Sequence, residues 1–304
     1  MGAFIRQCQL FIKPLDEVDG GGDVSDAIVI NSEGRQQDLR ISFRIMKNTM
    51  GFPNTSNVVI YNLSQATRQE LAKSGKAISI QAGYKQGGAK LQTITTGAIG
   101  SYINSREGGV VKTNIFSLDG GQSLGIGRYW KAWRSEQQLK DIVKDVASNL
   151  KGVTVSEDEI KLDGIQVGRK GRTLVGRCVD ILDELGRQWG FSWYIDNGVM
   201  KAIPDVSSSQ TTFTISYKNK NLIHATPTID NLVQIQTGIE IQTFLDPRIK
   251  PFDNIELESE VAPNLNGTYN VTNVSFIGDT HGKQWFTIIQ CIFKGAQLQE
   301  QLNG

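Results

Sequence analysis

Hydrophobic residues in the first third of the chain recur at every second position. Leu39, Ile41, Phe43 and Ile45 alternate with polar neighbours, which turns one face toward a core and the other toward water. The same reading predicts strands over residues 5–12, 27–30, 39–47, 57–61, 77–84, 91–104 and 110–118. Turn clusters at Gly20-Gly21-Gly22, 31–34, 85–88 and 105–109 separate them. One short helix interrupts the series. Ser64 can cap it, Leu71 supplies its apolar contact and Gly75 can end it. Leu63 and Leu71 are then expected to cover one open end of a small barrel or sandwich.

From about residue 119 the period changes. Ser135 followed by Gln138 has capping-box spacing. Leu139, Ile142, Val143, Val146, Ala147 and Leu150 then form a single helical stripe. A second helix is predicted from Thr173 to Trp189, with a stripe of Leu174, Cys178, Ile181, Leu182, Leu185 and Trp189 and a stop at Gly190. Asn197-Gly198 between the β-type runs 191–195 and 199–203 predicts a tight hairpin. Residues 205–212 are polar and serine-rich, as in a linker. Beyond them the β pattern returns at 213–217, 232–237, 240–245, 254–258, 267–277 and 285–293, and the last pair is joined by a polar turn. The predicted fold is mainly β with an α+β insert. Two antiparallel β-barrel-like domains, 1–118 and 206–304, flank a small two-helix α+β domain, 119–205.

Composition narrows the function. The net charge of +1 over 304 residues gives no broad field to draw the chain onto nucleic acid or anionic lipid. Cys8, Cys178 and Cys291 are widely spaced and sit in apolar segments, so they read as buried small hydrophobes in a protein folded in a reducing cytoplasm. The first residues lack the apolar core of a signal peptide. No run approaches the ~18 apolar residues of a membrane span, so no membrane anchor is expected.

Candidate chemistry is sparse. His224 and His281 have no metal-ligand spacing, and His281 lies in a turn beside Asp279. The glycine run 120–127 lacks the Gly-Lys-Ser/Thr ending of a phosphate loop and reads as a flexible connection. Glu157-Asp158-Glu159 reads as a solvated face or turn, and Asp180, Asp183 and Glu184 fall on the wet side of the second helix. No paired carboxylates stand in an apolar setting. No catalytic, cofactor or metal residue is therefore assigned. Trp130, Lys131, Trp133 and Arg134 form a basic aromatic cluster. Core packing or a protein–protein anchor suits it better than base stacking, and Trp130, Trp133 and Arg134 are the candidate interface residues.

Three passages together resemble the baseplate hub family of contractile-tailed bacteriophages. The first is Phe52-Pro53-Asn54 leading through Asn62-Leu63-Ser64 into the short helix, continued by Gly83-Tyr84, Gly97 and Leu118-Asp119-Gly120. The second is the 190–204 passage of the middle region. The third runs from Leu245-Asp246-Pro247-Arg248-Ile249-Lys250-Pro251 to the turn Gly278-Asp279-Thr280-His281-Gly282. Phe252 stands after Pro251 where a glycine is expected.

The resemblance implies a non-enzymatic structural protein of the virion tail, assembled in the host cytoplasm. It implies a homotrimer whose paired β-domains make a near six-fold ring. That ring links the tail tube, or a tube-terminating protein, to a separate central spike and contacts other baseplate proteins. DNA would cross its channel only as passing cargo. A tail-associated cell-wall hydrolase and a carbohydrate-binding β module are the alternatives.

Overall fold

The computed structural model describes residues 5–14, 27–49, 53–73, 76–85, 90–167, 171–204, 211–230 and 235–293. In the first part, β1 (Arg6–Pro14), β2 (Ile28–Ser32), β3 (Ile41–Asn48) and β4 (Thr55–Tyr61) lead to α1 (Gln65–Leu71). Strands β5 (Lys76–Tyr84), β6 (Gln92–Glu107) and β7 (Val110–Leu118) follow. Ile41, Phe43 and Ile45 are buried at alternate positions, as the pattern requires. Ser64 caps α1, its Oγ accepting from the Thr67 N–H at 3.1 Å, and Leu63 and Leu71 are buried. Gly75 lies outside the described residues, as do the Gly20-Gly21-Gly22 cluster and most of the 205–212 linker.

The middle part holds α2 (Gly121–Ile126), β8 (Arg128–Trp133), α3 (Leu139–Ala147), β9 (Thr154–Ile160) and β10 (Arg172–Arg177). It ends in α4 (Cys178–Trp189), β11 (Phe191–Asp196) and β12 (Val199–Pro204). The final part is β13 (Thr212–Ser216), β14 (Leu222–Asp230), β15 (Ile235–Phe244), β16 (Asn254–Glu258), β17 (Gly267–Asp279) and β18 (Trp285–Phe293). The chain is thus mainly β, and its pairings are antiparallel apart from β9 with β12 and β13 with β16.

Strands of the first and last parts join in one 13-stranded sheet. Its path runs β14-β15-β18-β17-β3-β4-β7-β6-β5-β1-β2, with β16 and β13 branching from β17. Among the described residues the path does not close, so the expected pair of barrels is replaced by an open sheet. The physical cause is β17. Its first residues pair with β16, and after a bulge between Val271 and Asn273 its remaining residues pair with β3. A strand of 13 residues serves both halves, which short strand predictions treat as independent. Side chains from both halves also meet in one apolar cluster, from Leu10 and Ile45 to Val274 and Phe293.

A second cluster lies in the middle part, where Leu139, Val143, Leu182 and Leu185 pack on Phe191, Trp193 and Met200. Two sequence expectations change here. Residues 172–177 form a strand paired with β8, so α4 begins only at Cys178. Leu174 and Cys178 are four apart, a spacing that satisfies a helix and a strand equally, and both are buried either way. The Ser135–Gln138 capping box is not formed either. Gln138 occupies the N-cap position without a side-chain bond, and the Leu139 N–H donates to the Ile165 carbonyl at 2.8 Å.

The glycine run is ordered as α2 rather than left as a loose connection. Glu157 and Asp158, adjacent on β9 and so on opposite faces of it, are both exposed. Among the described residues no helix is long and apolar enough to cross a membrane.

Candidate functional site

A buried polar constellation lies where the middle part meets the sheet. Lys47 ends the buried face of β3, and Asp119 follows β7. Asp196 closes β11, and Asp253 precedes β16. All four side chains are buried. Lys47 Nζ donates to Asp196 Oδ1, and Lys250 Nζ reaches Asp196 Oδ2 at 3.2 Å. Asp119 accepts from the backbone N–H groups of Asn197 (2.7 Å) and Gly198 (2.8 Å), so its carboxylate grips the tip of the β11–β12 hairpin.

Asn54 completes the joint. Its Nδ2 donates to the Ile195 carbonyl at 2.6 Å, its Oδ1 accepts from the Asn48 N–H at 3.2 Å, and its carbonyl accepts from the Asp119 N–H at 3.0 Å. The hairpin can present these groups because Asn197 (φ 55°) and Gly198 (φ 79°) make the left-handed two-residue turn that the sequence predicts. Gly120, also left-handed at φ 65°, lets the backbone lie against Ile195: a Cβ there would come within 2.6 Å of Ile195 Cδ1.

Burial pushes the Asp119 carboxyl up to about 7, against the attraction of Lys47 and the two N–H donors. Burial acts the same way on Asp196, but Lys47 and Lys250 outweigh it and hold that carboxyl at about 2. Asp253 is pushed up to about 6, chiefly by burial, while its Oδ2 accepts the Lys250 N–H at 2.7 Å. Two carboxyls with values driven apart are a familiar acid–base arrangement. Here, however, both are buried and held by internal partners, Asp119 by two backbone N–H groups and Asp196 by two lysines. The arrangement fixes one layer of the molecule to another. Sequence reading missed it, because its members come from four segments and each looks ordinary alone.

The C-terminal turn is built in the same spirit. Asp279 accepts from the N–H groups of His281 (3.0 Å) and Gly282 (2.8 Å) and pairs with Arg40. His281 Nε2 donates to the Arg35 carbonyl at 3.0 Å, which makes this histidine part of the turn, as expected. His224 is on β14, and its Nε2 lies 2.7 Å from Thr226 Oγ1. The three cysteines are free and buried. Among the described residues no group of His, Cys, Asp or Glu is arranged to hold a metal ion.

The three interface candidates part ways. Trp130 and Arg134 are exposed, whereas Trp133 is half-buried. The Trp133 indole N–H donates to Tyr129 Oη at 2.8 Å, and Lys131 lies 4.3 Å from the Trp133 ring centroid.

The structure resembles the tail protein from Neisseria meningitidis MC58, with a TM-score of 0.65 at 11% identity, covering 95% of this chain and 97% of that one. It also resembles the 43 kDa tail protein of prophage MuSo2 from Shewanella oneidensis, with a TM-score of 0.63 at 12% identity, covering 95% and 98%. A third likeness is to an E. coli component of the type VI secretion system, itself described as structurally similar to T4 tail proteins gp27 and gp5. There the TM-score is 0.61 at 11% identity, covering 85% and 75%. No curated protein matches in sequence. Residues 24–291 match the baseplate hub gp41 family, and the chain belongs to that family. It is a structural tail protein and not an enzyme.

Proposed function

We propose that this chain assembles as a homotrimeric ring in the tail baseplate, linking the tail tube to a central spike around the channel that DNA crosses. Family membership over most of the sequence is the observation that carries this reading. The shared sheet and the buried joint support it physically. A collar that transmits force has to keep its layers in register, and here one strand, β17, ties both β regions while buried Lys47, Asp119 and Asp196 link the α+β unit to them. A closed cyclic trimer presents identical patches every third of a turn, which suits a position between a ring and a three-fold spike.

The test is solution mass at micromolar concentration, alone and with the candidate tube and spike proteins. The expected species is a trimer that binds both. A strict monomer with neither partner bound overturns the reading.

A further inference from the structure

Two exposed patches on different parts of the chain carry opposite charges. The first is the outer face of the two-stranded ribbon β8–β10. Trp130 and Val175 stand directly opposite each other on it and are 78% and 71% exposed. The next rung of the same face pairs Arg128 with Arg177. Among the described residues Arg128 makes a 3.4 Å contact to the Gly127 carbonyl, and Arg177 a 3.7 Å pair with exposed Asp180. Both guanidinium groups therefore remain open to stronger partners.

The second patch lies at the end of β16 and the turn after it. Glu258 and Glu260 are exposed, and Val261 beside them is 79% exposed. Each patch sets an apolar side chain beside two like charges, and the signs are opposite. They do not cover each other within one chain, since Trp130 and Val261 are both open to water.

We propose that the Trp130–Val175 face of one copy docks on the Glu258–Val261 turn of the next copy, head to tail around the ring. This rests on the trimeric reading above and adds the contact that closes it. Two different patches that meet across copies give a heterologous interface, which closes into a ring when the rotation allows. Tryptophan and arginine at its centre match the composition of interface hot spots.

Charge swapping tests the contact. Arg128→Glu/Arg177→Glu and Glu258→Lys/Glu260→Lys are each expected to raise the trimer dissociation midpoint at least about tenfold. The chain carrying all four substitutions is expected to recover the wild-type midpoint, because the attraction is restored with its signs exchanged. Trp130→Ser is expected to weaken assembly by a similar factor while the monomer's circular dichroism and melting temperature stay unchanged. A wild-type trimer whose midpoint none of these variants moves overturns this contact and leaves the trimeric hub standing. A wild-type chain that never assembles takes both down.

Discussion

Lys47 and Asp196, 149 residues apart in the sequence, form an ion pair in which each side chain is only 3% exposed. Removing one partner of such a pair strands the other charge away from water, which costs about 3–5 kcal/mol. Asp196→Ala is therefore expected to lower unfolding stability by about 3 kcal/mol, since Asp119 lies close enough to attract Lys47 and soften the loss. Replacing both partners, as Lys47→Met with Asp196→Leu, is expected to cost less than the single change. Denaturant melts of the three proteins check this. A loss below about 0.5 kcal/mol for Asp196→Ala would show that the pair does not hold the joint.

The same joint predicts an uncommon pH profile. Asp119 has a folded value of about 7 against an ordinary 3.8, so the native state binds this proton more tightly than the unfolded chain does. Stability from this group is complete below the ordinary value and falls as pH rises toward 7. Asp196, held at about 2, works in the opposite sense: its contribution is present above 3.8 and is lost as pH falls toward 2. Lys47 faces both carboxyls, Lys250 faces Asp196, and the N–H groups of Asn197 and Gly198 face Asp119. Asp119→Asn is expected to make the decline between about pH 4 and 7 shallower, leaving the part that Asp253, pushed up to about 6, contributes, and Asp196→Asn to remove the acid limb. Melting temperatures across pH 2–8 measure both. Parallel profiles for wild type and Asp119→Asn would refute the assignment.

The sequence was informative where local signals act alone. Alternation placed β3, the Asn197-Gly198 turn placed β11 and β12, and Ser64 placed the start of α1, each by a mechanism spanning a few residues. Period 2 and period 3.6 coincide at a spacing of four, so Leu174 and Cys178 could not separate β10 from α4. The N-terminus of α3 is satisfied by the backbone at Ile165, 26 positions beyond Leu139, and no local capping pattern records that. The ionic joint was illegible for the same reason. Asp119 comes near Lys47 through the β3–β4–β7 pairings, and Asp196 joins them through the hairpin that Asp119 and Asn54 hold, contacts far apart in the sequence.

Gly278 marks that junction. It pairs with Phe43 on β3 and with Trp285 on β18, and the two rings meet edge to face with centroids 5.5 Å apart. A Cβ at position 278 would strike the Phe43 ring. Gly278→Ala is expected to force that ring from its place and destabilise the protein by about 1–3 kcal/mol. Gly278→Ala combined with Phe43→Leu is expected to recover part of the loss. Chemical unfolding of the two variants decides it, and an unchanged midpoint for Gly278→Ala would mean that the aromatic pair has room to shift.

Phe252 holds a left-handed backbone conformation at φ 72°, which a bulky side chain adopts only under constraint. Its position is the one where the sequence suggested glycine. The constraint has a visible source. The Phe252 N–H donates to the Val271 carbonyl at 2.9 Å, and the Val271 N–H donates to the Asp253 carbonyl at 2.9 Å, which clamps the turn onto β17 at its bulge. The ring in turn lies 5.1 Å from that of Tyr194 on β11, adding an aromatic contact to the joint beside Asp196. Strain and packing thus oppose each other at one residue. Phe252→Ala keeps the strain and loses the ring, whereas Phe252→Gly loses the ring but relaxes the backbone by about 1 kcal/mol. The expected order of stability is wild type, then Phe252→Gly, then Phe252→Ala, the reverse of the usual advantage of alanine over glycine. Equilibrium unfolding of the three proteins measures it, and alanine more stable than glycine would show that the turn relaxes out of the left-handed region once the ring is gone.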